Sequence, residues 1–177
     1  MPRVVSIHSY RGGTGKSNFT ANLAATIAAQ GYRVGVADTD VPSPGIHNLF
    51  DLQSEQTDKT LNNFRWGEVS IEDAAYDVTA NTGIDGNGKV FLVPSSVKAD
   101  DIARILKDGY DVKLINEGFR SLVKALELDY LLIDTHPGLS KETFLSIALS
   151  HILLLILRPD KQDYQGPAVT LCVARQL

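Results

Sequence analysis

The sequence predicts an α/β fold, a doubly wound and mostly parallel sheet flanked by helices, and three observations carry that prediction. Short runs rich in Val, Ile and Leu alternate with longer stretches of helical spacing, the order expected of right-handed β-α-β units. The strand-like runs are apolar on successive residues, as strands covered on both faces are. A glycine cluster at residues 11–17 joins the first of these runs to an alanine-rich helix. With 177 residues, 44% of them apolar, the chain suffices for one well-buried domain and is too short for two of ordinary size.

Five strands are expected, at residues 3–9, 33–37, 90–93, 130–133 and 152–157. The first begins so close to the N-terminus that no signal peptide is expected, and the run 152–157 is too short to cross a bilayer. The first helix should span 18–30 and stop at Gly31. Between 53 and 88 the pattern weakens, with short helical pieces at 61–64 and 69–75 and a turn-rich excursion at 81–88. Asp85, Gly86 and Asn87 have the flavour of a calcium loop, but Leu92 stands where its bidentate glutamate belongs, which argues against calcium. A helix is expected at 100–108 and another at 112–128, where Ile115, Phe119, Leu122, Val123 and Leu126 form one core-facing stripe. A last helix should run over 167–176. No internal repeat or low-complexity tract is seen.

The loop Arg11, Gly12, Gly13, Thr14, Gly15, Lys16, Ser17 carries the chemistry. Its glycines allow a tight turn that brings backbone N–H groups close to phosphate oxygens, and the helix after Gly15 points its positive end at the same anion. This predicts a nucleoside triphosphate site, with Lys16 reaching the β- and γ-phosphates and Ser17 binding Mg²⁺. The pattern G-x-x-x-x-G-K-[ST] wants glycine where Tyr10 stands, but a strand before and a helix after supply the confirming context. Two further clusters sit just past strand ends, where ligands bind in such sheets. Asp38 and Asp40 can serve a metal-phosphate centre, one through Mg²⁺ and the other by orienting the attacking water. Asp134 ends an apolar strand as a second Mg²⁺-directed carboxylate, and Pro137-Gly138 gives a loop able to sense the γ-phosphate. His136 is expected to be a hydrogen-bonded loop residue and His8 a satisfied core or rim residue.

A net charge of -4 and a pI near 5.5 give no global basic field for nucleic acid or acidic lipid. Cys172 is the only cysteine, which excludes an intrachain disulfide and a cysteine-rich metal or iron-sulfur site within one chain; it fits a reducing, cytoplasmic setting and is read as core filler.

Together these clusters resemble a known family. Residues 11–17 are similar to the deviant Walker A loop of the ParA/MinD ATPases, and Asp38-Thr39-Asp40 and Asp134-Thr135-His136-Pro137-Gly138 to their switch I and switch II. Residues 91–96 look like the third strand of MinD-like members, the nearer branch, and Leu157-Arg158-Pro159-Asp160 like the loop after their fifth strand. The resemblance implies a P-loop NTPase domain over 1–177 that binds ATP and Mg²⁺ and hydrolyses ATP slowly as a dimerisation switch for spatial positioning or partitioning of a cargo. It implies Lys16, Asp40 and Arg11 as catalytic residues; Gly12, Gly13, Thr14, Gly15, Lys16, Ser17, Asn18 and Gly138 as nucleotide contacts; and Ser17, Asp38 and Asp134 at the metal. The partners it implies are a second copy with ATP at the interface, an activating protein, and a membrane or nucleoid DNA surface reached through segments outside this chain; the single cysteine adds the expectation of no iron-sulfur cluster.

Two departures stand out. Arg11 replaces the family's signature lysine, keeping the charge while changing its geometry. The chain stops at Leu177, before the later strands and helices of relatives, so a fragment with an exposed sheet edge and an incomplete base pocket is expected. Two other readings share the loop. One is a nucleotide-binding regulator with little turnover; the other is a phosphotransferase, for which a terminal tyrosine cluster would speak and none is seen.

Overall fold

The computed structural model describes residues 1–53, 57–108, 111–159 and 161–176, so Asp160 and Leu177 of the sequence reading lie outside the described residues. Its strands are β1 (Arg3–His8), β2 (Arg33–Asp38), β3 (Tyr76–Asp77), β4 (Lys89–Val93), β5 (Tyr130–Asp134) and β6 (Ile152–Leu155). They form one sheet in the order β3-β4-β2-β5-β1-β6, parallel except for β3, which pairs antiparallel with β4. The predicted fold class is therefore the observed one. The five predicted strands become six because β3 is only two residues long, too short for any alternation to register. The last strand ends at Leu155, two residues early.

The helices are α1 (Lys16–Ala28), α2 (Ile46–Leu49), α3 (Leu61–Arg65), α4 (Ala99–Asp108), α5 (Val112–Ala125), α6 (Lys141–Ala148) and α7 (Lys161–Ala174). Residues 69–75, expected as a helical piece, form turns instead. The last helix begins six residues before Pro167 and runs through it. Helix α6 was not foreseen, although its start is written in sequence: Ser140 caps it by accepting from the Thr143 amide at 3.2 Å.

Alternation along the strands builds two cores, one on each face of the sheet. On one face Val5, Ile7, Val34, Val36, Val90, Leu92 and Leu132 pack with Ala21, Ala24 and Ala28 of α1 and with Ile46 and Phe50 around α2. On the other, Ala37, Val93, Leu131 and Ile133 meet Leu61 and Phe64 of α3, Leu145 of α6, and Ile115, Phe119 and Leu122 of α5. That last trio belongs to the predicted stripe of α5. Strand β6 lies at the end of the described sheet, its leucines only half-buried. This strand order brings the C-terminal ends of β1, β2 and β5 side by side, so the three motif-bearing loops converge at one crevice.

Candidate nucleotide-binding site

The loop leaving β1 turns back on itself through Gly13 and Gly15, with φ of 72° and 85°, left-handed values that a side chain would strain. Gly15 caps α1, so the first amides of that helix face the loop's interior. A cavity of about 280 Å³ results, lined by Ser9, Gly12, Gly13, Thr14, Gly15, Lys16, Ser17 and Asn18 and closed on the far side by Asp40, Ser43 and Pro137. The loop residues expected to contact nucleotide are thus gathered around one space. A larger cavity of about 600 Å³ lies at the opposite end of β1, by Met1 and Phe119, away from these groups.

Beneath the loop, Asp134 is the hub. Its Oδ1 accepts from Lys16 Nζ at 2.8 Å and from Thr20 Oγ1 at 3.0 Å, and its Oδ2 from Ser17 Oγ at 2.7 Å. Lys16 and Asp134 are 6% and 1% exposed, so this is a buried ion pair. Asp38 is the register partner of Asp134 on the adjoining strand β2. Two carboxylates so placed and buried resist ionising together, and burial, reinforced by the Asp134 charge, pushes Asp38 up to about 8. Its Oδ1 accepts from the Asp40 amide at 3.0 Å, while its buried Oδ2 has no partner among the described residues. An orphaned carboxylate oxygen on the strand next to the carboxylate that Ser17 bonds fits Mg²⁺, which takes one or two carboxylates and completes its shell with water and phosphate oxygens. Among the described residues no three His, Cys, Asp or Glu side chains form a cage that would hold a metal without a phosphate.

Asp40 and His136 link the two other loops, Asp40 Oδ1 lying 2.7 Å from His136 Nδ1. The His136 reading as a hydrogen-bonded loop residue is met, with a partner the sequence could not name. His8 Nδ1 lies 2.8 Å from Thr135 Oγ1, and burial, aided by the nearby Lys16 charge, lowers its pKa to about 4, so the ring is neutral. Gly138 does not line the cavity. Its amide donates to the Ser9 carbonyl at 3.1 Å, and its carbonyl accepts from Thr143 Oγ1 at 3.0 Å. Arg11 is half-buried on the loop, its carbonyl accepting from Ser9 Oγ at 2.9 Å. Ser9, Thr20 and Thr143 were missed in the sequence. Only Thr20 carried a signal, one turn beyond Lys16 on the same helix face.

Tyr10, the residue in place of the motif's first glycine, lies against Gly166 of α7. A Cβ built on Gly166 would fall 2.0 Å from Tyr10 ring atoms, so the ring occupies the space of that missing side chain. Cys172, on the same helix, is exposed and not core filler, because α7 turns that face outward along with Val169 and Leu171.

Residues 1–156 match the ParA family, under the description NUBPL iron-transfer P-loop NTPase. The chain belongs to the ParA family. The chain is 36% identical over 139 residues to the cytosolic Fe-S cluster assembly factor CFD1 of Yarrowia lipolytica, covering 78% of this chain and 43% of that protein. It is 29% identical over 160 residues to an iron-sulfur cluster carrier protein of Clostridium perfringens, covering 90% and 53%. The chain thus spans about half the length of these curated relatives. Among solved structures, the cell division ATPase MinD of Pyrococcus furiosus superposes with a TM-score of 0.82 at 27% identity, covering 99% of this chain and 68% of that one. These relatives overturn the expectation of no iron-sulfur cluster among the partners. Counting one cysteine bears on ligands inside these 177 residues alone, and says nothing of proteins about twice as long or of sites shared between chains. Among the described residues no helix is long and apolar enough to cross a membrane.

Proposed function

We propose that this ParA-family domain binds Mg²⁺-ATP and hydrolyses it slowly as a dimerisation switch. The observation that carries the reading is the gathering of Lys16 and Ser17 onto Asp134, beside the partnerless Asp38 oxygen and beneath a cavity walled by the loop. Without nucleotide the Lys16 ammonium is neutralised by Asp134; with it, Lys16 exchanges that carboxylate for phosphate oxygens. Ser17, Asp38 and Asp134 are the residues to hold Mg²⁺, which neutralises charge on the phosphate oxygens. The amide of Gly138 is free to engage a γ-phosphate once it leaves Ser9, which ties the loop after β5 to nucleotide state. Asp40 faces the same cavity and orients the attacking water. Arg11 supplies positive charge to the phosphates of a second copy, in place of the family's lysine. The output in this reading is the positioning of a cargo.

Titration with a fluorescent ATP analogue tests the site: Lys16→Ala should abolish binding, and unchanged affinity would overturn the assignment. Phosphate release then separates a slow ATPase from a regulator that binds without turnover, and sedimentation with a non-hydrolysable analogue reads dimerisation.

A second reading of the output, iron-sulfur cluster handling, is favoured by the likeness to CFD1. One exposed Cys172 per chain places two thiols in a dimer. Anaerobic incubation with iron and sulfide should then give a visible absorption band that Cys172→Ser weakens; no band in either chain would remove this reading for the domain.

A further inference from the structure

The pair formed by Asp40 and His136 is not required by the loop's phosphate chemistry, and its construction points to a purpose. Asp40 comes from the loop after β2 and His136 from the loop after β5, 96 residues apart, and they meet at 2.7 Å where Asp40 borders the nucleotide cavity. With a carboxylate as its partner, Nδ1 is the nitrogen that donates in this contact.

Both partners are braced. Asp40 Oδ1 also accepts from the Ser43 amide at 3.2 Å, and the Asp40 amide donates to Asp38 Oδ1. Among the described residues both side-chain bonds of Asp40 fall on Oδ1, which leaves Oδ2 as the oxygen to engage a water. On the other side, Thr135 is held by its amide and its hydroxyl to the Ile7 carbonyl, and the His136 carbonyl accepts from Thr143 Oγ1 at 3.4 Å. Pro137 follows directly and restricts the backbone of His136 to extended conformations. The imidazole is thus presented by a pinned loop to a carboxylate on a second loop. His136 itself is absent from the cavity wall, while Asp40 and Pro137 form part of it.

We infer that His136 is a positioning residue for ATP hydrolysis, holding the Asp40 carboxylate at the angle from which its second oxygen aligns the attacking water. The inference rests on the ATPase reading above. A carboxylate on a loop, held only by one backbone amide, samples several rotamers, whereas two donors from different elements on the same oxygen select one. Misplacing a water-orienting group by about an ångström is enough to lose roughly two orders of magnitude in rate.

The test compares His136→Ala, His136→Asn and Asp40→Ala with the parent chain, measuring affinity for a fluorescent ATP analogue, kcat and KM for phosphate release, and cooperative unfolding. His136→Ala should bind nucleotide with parental affinity and unfold cooperatively while kcat falls roughly 10- to 100-fold. His136→Asn, whose side-chain amide N–H can stand in for Nδ1–H, should recover kcat to within a few-fold of the parent. Adding His136→Ala to Asp40→Ala should cost nothing further, since the histidine acts only through that carboxylate. Parental kcat in His136→Ala, or an undiminished additional loss in the double variant, overturns the positioning role while leaving the ATPase reading intact. Binding lost together with kcat also overturns it, by making His136 part of the nucleotide site. A parent chain that binds ATP and releases no phosphate overturns the hydrolysis reading itself, and the role of His136 with it.

Discussion

Replacing Asp134 by alanine in the nucleotide-free chain strands a buried ammonium. Asp134 takes three donors, and their losses differ. Ser17 is half-buried and its hydroxyl can turn to water, while Thr20 keeps the Lys16 carbonyl as an acceptor at 3.0 Å. Lys16, 6% exposed, loses its paired carboxylate, and breaking a buried pair from one side costs about 3–5 kcal/mol, softened here by Asp38 on the adjoining strand, whose carboxyl feels the Lys16 charge. The neighbouring cavity lets the ammonium reach some water, which puts the expected loss near the lower bound, about 3 kcal/mol. Urea unfolding without Mg²⁺ or nucleotide reads this as a midpoint lowered by about 1–3 M at the usual denaturant slopes. The double variant Lys16→Met with Asp134→Leu removes both charges of the pair and should regain most of the lost stability, because two apolar groups leave neither an unpaired ammonium nor an unpaired carboxylate in its place. A midpoint that stays at the parental value in Asp134→Ala, or a double variant no better than the single, would refute the argument that the pair is held by mutual neutralisation.

Asp40→Ala should retain Mg²⁺-ATP binding and lose most turnover; parallel loss of both in a titration and a phosphate assay would assign Asp40 to the metal or the fold. Stability of the metal-free chain should fall between pH 6.5 and 8. Asp38 is raised from 3.8 to about 8, so across that span the folded chain keeps a proton the unfolded chain has released, and stability is lost as pH rises. His8, lowered from 6.5 to about 4, acts the other way and only below 6.5, where the unfolded chain binds the proton; Asp38→Asn should therefore flatten the upper limb of a urea-midpoint profile, and an unchanged limb would exclude Asp38 as its source. If Arg11 reaches a second copy, hydrolysis per molecule should rise with protein concentration, and Arg11→Ala should cut turnover by up to the roughly 10³- to 10⁵-fold of arginine fingers while sparing ATP binding. Mixing Arg11→Ala chains with Lys16→Ala chains should restore hydrolysis, and a crosslinked mixed dimer without rescue would place Arg11 in its own site or in none.

How far the sequence could be read depended on how local each signal was. The loop from Arg11 to Ser17 and the apolar strands around it were legible because glycine, charge and hydrophobic runs report on neighbours a few residues away. The same locality explains the misses. Strand β3 offers two residues, and its pairing with β4 depends on Leu92 and Phe91, beyond the turn-rich stretch that separates the two strands. The Asp134 hub joins residues more than a hundred positions apart, so the sequence nominated Lys16, Ser17 and Asp134 separately without showing that they touch. Cys172 misled for another reason: cysteine is commonly buried, but α7 has no clean apolar stripe to say which way it faces.

The contact between Tyr10 and Gly166 bears on how this chain could have diverged. The motif's first glycine is missing from the loop, yet a glycine stands against the ring that replaced it, on a helix more than 150 residues later. Positions 10 and 166 are therefore coupled for as long as the ring stays packed on α7; Tyr10 is itself 38% exposed, so a side chain at 166 would have to turn the ring out toward solvent. A relative with glycine at the loop position has room for a side chain on the helix, and one that keeps an aromatic ring packed there keeps the helix bare. The two substitutions are expected to be correlated among relatives.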